Sequence, residues 1–146
     1  MTQPSFSTAG ASIAHEVVAH VHVADEPPVS LPAELRYERS DPYAVSLALG
    51  TMAAETVDWV FARSLLSEGT VRPAGAGSIL VTPRRGCPGD VVRIVVRSPA
   101  GSAVMDIAAP AVTAFLERAA RVVPPGEEGR HLDLDRLVTE LLADAD

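Results

Sequence analysis

The sequence predicts an α+β domain: an antiparallel, barrel-like sheet core of about six or more strands, followed by two C-terminal helices. Three observations carry that prediction. Short runs with strand-period alternation recur from residue 15 to residue 107, each bounded by Pro, Gly or Asp. Helical spacing of any length shows only after Pro110. The chain has 146 residues and is 47% hydrophobic, long enough for one buried core and too apolar for a disordered segment.

The first 13 residues are small and polar and read as a flexible tail; residues 14–146 read as one domain. His15 to Val23 alternates, with His15, Val17, Ala19, Val21 and Val23 on one face and Glu16, Val18, His20 and His22 on the other. Asp25-Glu26-Pro27-Pro28 stops this strand, because proline cannot donate to a ladder. Leu35 to Tyr37 reads as a short extended piece before a turn at Ser40-Asp41-Pro42, where Asp bonds nearby backbone N–H groups and Pro presets φ. Tyr43, Val45, Leu47 and Leu49 then alternate with smaller residues in a second strand. Thr56 to Ala62 is a third, rich in β-branched and aromatic side chains.

Arg63 to Glu68 reads as a helical turn ended by Gly69 as its C-cap. Ser78 to Thr82 is the next strand, bounded by Gly77 and Pro83. Asp90 to Arg97 turns Val92, Ile94 and Val96 one way and Arg93 and Arg97 the other. Ser98-Pro99-Ala100-Gly101 makes the hairpin turn into Ser102 to Ile107. Pro110 suits the first turn of a helix whose apolar stripe is Val112, Phe115, Leu116, Ala119 and Val123. Pro124-Pro125-Gly126 ends it, and a last helix capped by Asp133 carries Leu134, Leu137, Val138, Leu141 and Leu142 on one face. No internal repeat is visible in the sequence.

Charge narrows the function. The formal net charge is −7, against a general nucleic-acid binder. All 12 basic residues are Arg, and five of them (Arg72, Arg84, Arg85, Arg93 and Arg97) lie between residues 70 and 97 with a single acid, Asp90. That basic middle is a candidate surface for an acidic partner; its plainer reading is a solvated sheet face and loop. A single Cys87 excludes an internal disulfide, and the N-terminus has neither the basic residues nor the apolar run of an ordinary signal peptide, so a cytoplasmic location is expected. Any contact with a membrane would be indirect.

The chemistry-bearing residues do not assemble into a catalytic motif. His20 and His22 share a strand face, but Glu16 is four residues away, about 13 Å along the strand, so no metal site is completed by spacing. Cys87 has flanking arginines but no indicated base. Gly75-Ala76-Gly77 leads into a strand rather than a helix and lacks the Lys of a phosphate loop. Asp133 and Asp135 do not share a helical face, and capping explains them. No enzyme activity, metal or cofactor is expected. Trp59, in register with Val57 and Phe61, reads as a core anchor or as an exposed hot spot, and Tyr43 carries the same two readings.

Four blocks carry a family resemblance. Asp41-Pro42-Tyr43-Ala44-Val45, Glu55 to Gly69 with Trp59, Phe61 and Arg63, Pro124-Pro125-Gly126-Glu127, and His131 to Asp135 together resemble the SsgA-like proteins of actinobacterial sporulation-specific cell division, over about Leu31 to Leu142. The resemblance implies a fold similar to the whirly single-stranded nucleic-acid-binding proteins and a homo-oligomer, a trimer by that similarity. It implies a non-enzymatic protein at the division septum, whose partner is the tubulin-like GTPase FtsZ or another division protein. The Asp41–Val45 and Trp59–Arg63 blocks point within the family to its SsgB-like, FtsZ-recruiting branch. They make Asp41, Pro42, Tyr43, Trp59, Phe61 and Arg63 signature residues, structural or partner-binding. The alternative is a single-stranded nucleic-acid binder; the scarcity of aromatics near the arginines counts against it.

Overall fold

The computed structural model of the chain describes residues 12–23, 25–50, 56–86, 89–99 and 101–131. In chain order the elements are β1 (Ser12–Val23), β2 (Val29–Glu38), β3 (Ala44–Gly50), β4 (Thr56–Ala62), α1 (Arg63–Gly69), β5 (Ala74–Ala76), β6 (Ile79–Arg84), β7 (Val91–Ser98), β8 (Gly101–Ala108), α2 (Ala109–Val122) and a 3-10 turn, Glu128–His131. All strands join one antiparallel sheet in the order β4-β3-β2-β1-β8-β7-β6-β5, which curls into a half-barrel. Two four-stranded meanders, each followed by a helix, thus stand side by side through the β1–β8 pairing, in which Ala19 faces Ile107. The repeat lies in the topology and has no counterpart in the residues.

Alternation decides which side chains enter the core. On β1, Ile13, Val17, Ala19 and Val21 are buried while Val18 and His20 point out. Leu35, Leu47, Ile94, Met105 and Ile107 are completely buried on the same side of the sheet. α2 packs on β1, β7 and β8, over Ile94, Met105 and Ile107, with Val112, Phe115 and Ala119 at zero exposure. Each such large apolar side chain contributes about 1.5–3 kcal/mol on burial. α1 closes the other end over β5 and β6 through Leu66. Among the described residues no helix is long and apolar enough to cross a membrane.

The structure corrects several boundaries. β1 begins at Ser12, inside the segment the sequence assigns to the tail; residues 1–11 lie outside the described residues. β2 runs ten residues instead of three, straight through Pro32. Pro32 is tolerated because the β2–β3 ladder spans only Ala33 to Arg36, so the proline stands just past it. Pro83 is inside β6 for the same reason: it pairs with Val92 of β7, but β5 reaches only to Val81 on the other side. β5 itself was not expected, being three residues of Ala and Gly; a two-residue turn at Gly77-Ser78, with Gly77 at φ +80°, sets its pairing with β6.

Of the helices, α1 stands between the two meanders and α2 follows the last strand; the helix expected after Asp133, with Asp133 and Asp135, lies outside the described residues, as does Cys87. Gly69 ends α1 without positive φ. Its role is close approach, since a Cβ there would stand 2.2 Å from Cγ1 of Val81.

Candidate functional site

Five of the signature residues meet where the β2–β3 turn abuts the β4–α1 junction. The turn is closed by the Asp41 N–H donating to Glu38 O at 3.0 Å and the Ala44 N–H to Asp41 O at 3.2 Å. This buries Pro42 and leaves Asp41 exposed. β3 pairs with β4 so that Val45 faces Phe61, both in the core, and the Arg63 N–H donates to Tyr43 O at 2.8 Å. The Arg63 side chain, 4% exposed, then turns inward. Its Nη1 donates to Oη of Tyr37 at 2.9 Å, and its guanidinium carbon stands 5.0 Å from the Tyr37 ring centroid.

The Tyr37 hydroxyl in turn donates to Pro42 O at 3.0 Å. Glu128 completes the arrangement, with Oε2 at 3.9 Å from Arg63 Nη1 and Oε1 accepting the Gly126 N–H at 2.8 Å. Burial raises the Tyr37 phenol pKa, against the opposing pull of the Arg63 charge and hydrogen bond. The result is a buried polar clasp tying β2, the β2–β3 turn, the start of α1 and the segment after α2 to one another.

Tyr37 and Glu128 are the members that sequence reasoning missed. The parity of Tyr37 with Leu35 was the available signal for a buried phenol; nothing local marks Glu128, 65 residues beyond Arg63. Tyr43 and Trp59 differ in exposure. Tyr43 is 52% exposed, with Oη 3.5 Å from where a Gly129 Cβ would stand. Trp59 pairs with Leu47 and packs half-buried against the core on the edge strand β4, whose Val57 and Val60 are exposed. Trp59 is an anchor at the core margin, because burial fades along an edge strand.

The five middle arginines do not form one patch. Arg93, on the outer sheet face, makes a two-pronged pair with Asp106 of β8: Nε to Oδ1 and Nη2 to Oδ2, both at 2.8 Å. Arg72 lies 3.8 Å from Glu68 one helical turn away, and both side chains are well exposed; such a pair contributes little. Arg97 stands at the far end of β7, six residues and about 20 Å from Val91, the partner of Arg84. Arg84 and Arg85 instead border a groove of about 730 Å³ together with His20, His22, Asp90 and Asp106. There His20 Nδ1 is 2.8 Å from Ser30 Oγ, and His22 Nε2 is 3.5 Å from Asp106 Oδ2. Among the described residues no group of three or more His, Cys, Asp or Glu side chains is placed to hold a metal ion.

Asp106 is almost fully buried, and burial, the largest single influence, pushes its pKa up. The Arg93 hydrogen bonds and charge, helped by the charges of His22 and Arg84, outweigh it and hold the carboxyl below its ordinary value. A folded-state pKa below the unfolded one contributes stability above the unfolded value, lost as pH falls through the folded value. The urea midpoint is therefore expected to decline on acidification below about pH 4, and Asp106→Asn is expected to flatten that limb. An unchanged acid limb in the variant would show that Asp106 is not among its causes.

Comparison with known proteins agrees with this architecture. Residues 31–128 match the family model described as the Streptomyces sporulation and cell division protein SsgA. The chain is 43% identical over 134 residues to the sporulation-specific cell division protein SsgB of Streptomyces coelicolor, covering 92% of this chain and 98% of that one. A solved structure of SsgB, reported with mutations that correlate to longitudinal cell division during sporulation of Streptomyces coelicolor, superposes with a TM-score of 0.78 at 44% identity, covering 83% of this chain and 95% of that chain. The crystal structure of an SsgA-like sporulation-specific cell division protein from Thermobifida fusca YX-ER1 does so with a TM-score of 0.82 at 34% identity, covering 96% and 98%. The chain belongs to the SsgA-like family of sporulation and cell division proteins.

Proposed function

We propose that the chain is a non-enzymatic division protein that recruits or positions FtsZ where sporulation septa form. The observation that carries this reading is the kinship with SsgB, which extends over nearly the whole of both chains. The fold suits a scaffold: a rigid sheet presents exposed side chains at fixed spacing, and its clasped turn holds Tyr43 half-exposed beside the edge strand. A homo-oligomer, a trimer by family, would repeat each weak contact along a polymer, and avidity would strengthen the whole. Such a protein works on the cytoplasmic side of the septum and reaches the membrane through its partners.

Co-sedimentation with FtsZ polymers of the same organism tests the proposal. The purified chain is expected to pellet with polymer, to stay in the supernatant without it, and to be indifferent to a short single-stranded DNA competitor. Tyr43→Ala is expected to weaken pelleting by about tenfold, as an exposed aromatic contact would, while leaving the urea midpoint nearly unchanged. A chain that stays in the supernatant yet binds the DNA tightly and salt-sensitively would overturn the reading.

A further inference from the structure

We propose that the groove between the outer face of β1 and β8 and the arginines Arg84 and Arg85 at the end of β6 is a docking site for a carboxylate-rich stretch of a partner protein. It rests on the reading of the chain as a protein that docks division partners, and it names where and by what chemistry. Four strands contribute. β1 supplies His20 and His22, which share the outer face because they are two residues apart. β6 ends on Arg84, and Arg85 follows it; both are exposed and neither has an ion-pair partner among the described residues. β7 and β8 supply Arg93 and Asp106, which neutralise each other through their two-pronged pair.

The charged groups of the groove are Arg84, Arg85 and Asp90 on the β6 side and Asp106 on β8, the last paired with Arg93. Asp90 is itself engaged by the Gly86 N–H, which points to its Oδ1 at 3.4 Å. Three guanidinium groups, of Arg84, Arg85 and Arg93, stand against two carboxylates, of Asp90 and Asp106, so the groove is net positive inside a chain of net charge −7. That is the condition for local attraction of an acidic segment.

The remaining lining, Pro28, Gly86, Gly89, Val91 and Ala108, is apolar or glycine, with no aromatic ring for a base to stack on. A volume of about 730 Å³ admits several residues of extended peptide.

The test uses the full chain and two fluorescein-labelled probes, hexaglutamate and an oligothymidylate of similar charge, followed by anisotropy at low salt. Hexaglutamate is expected to bind at least about fivefold tighter than the oligothymidylate. The R84A/R85A double variant is expected to lose about tenfold or more of the hexaglutamate affinity. Arg84 and Arg85 are both exposed, so urea melts are expected to show intact folding. Hexaglutamate binding that R84A/R85A leaves unchanged would overturn the proposal, as would oligothymidylate binding equally well through the same residues. FtsZ co-sedimentation on the same variant separates the two readings. Failure to pellet FtsZ alongside the expected hexaglutamate pattern would remove FtsZ as the partner and leave the groove; pelleting unaffected by R84A/R85A, without hexaglutamate binding, would do the reverse.

Discussion

Replacing Arg63 by alanine is expected to destabilise the protein by about 2–4 kcal/mol, read as a lower urea midpoint. The variant removes a buried hydrogen bond to Tyr37 and a guanidinium stacked near its ring, and leaves the Glu128 carboxylate without its cation. A half-buried carboxylate robbed of its partner keeps part of its desolvation cost uncompensated. Two features hold the figure below the upper range for buried pairs. Glu128 retains 17% exposure, and its closest oxygen is 3.9 Å away, so water can take over part of the role.

Tyr37→Phe tests the same clasp from the other side and is expected to cost about 1–3 kcal/mol, since the Pro42 carbonyl and an Arg63 N–H lose their partner together. The double variant is expected to cost less than the sum, because the two residues share one network. Arg72→Ala, whose side chain pairs only with Glu68 at the surface, is the control and is expected to stay within about 0.5 kcal/mol of wild type. An Arg63→Ala cost as small as that of the control would mean that the clasp does not hold the turn.

Gly69→Ala is expected to destabilise by about 2–3 kcal/mol, although alanine is the better helix former by about 1 kcal/mol. Sterics win because the new Cβ would stand 2.2 Å from Cγ1 and 2.5 Å from Cβ of Val81, and 3.0 Å from its carbonyl oxygen. Val81 is at zero exposure and fixed between β5 and β7, so it cannot swing away. α1 would have to lift off the sheet, loosening Leu66 from the core. Shortening Val81 to Ala opens the space, so Gly69→Ala with Val81→Ala is expected to cost less than the two single variants added together. Strict additivity in that cycle would place the cost of Gly69→Ala elsewhere than in contact with Val81.

Much of the fold was legible in the residues because its signals are local. Alternation marked β1, β3, β4, β7 and β8 nearly to their ends, and Pro110 with the stripe from Val112 to Val123 marked α2. Pro32 and Pro83 misled because proline's cost in a sheet depends on whether a neighbour strand is present on its N–H side, and that neighbour comes from elsewhere in the chain. β5 was invisible because three small residues carry no period; its partner strand makes it.

The candidate sites divide in the same way. Sequence by itself determined the class of the fold, the inward faces of its strands, the family and the positions of its signature blocks. Tertiary structure alone decided that Pro42, Tyr43 and Arg63 meet at a clasp with Tyr37 and Glu128, that Tyr43 is exposed while Trp59 lies at the core margin, and that five arginines near in sequence serve separate ends. It also decided that His20 and His22 share a groove with Arg84 and Arg85. The physical reason is range. Periodicity and turn chemistry act over a few residues, whereas burial, ion pairing and local charge depend on which distant segments a sheet register sets side by side.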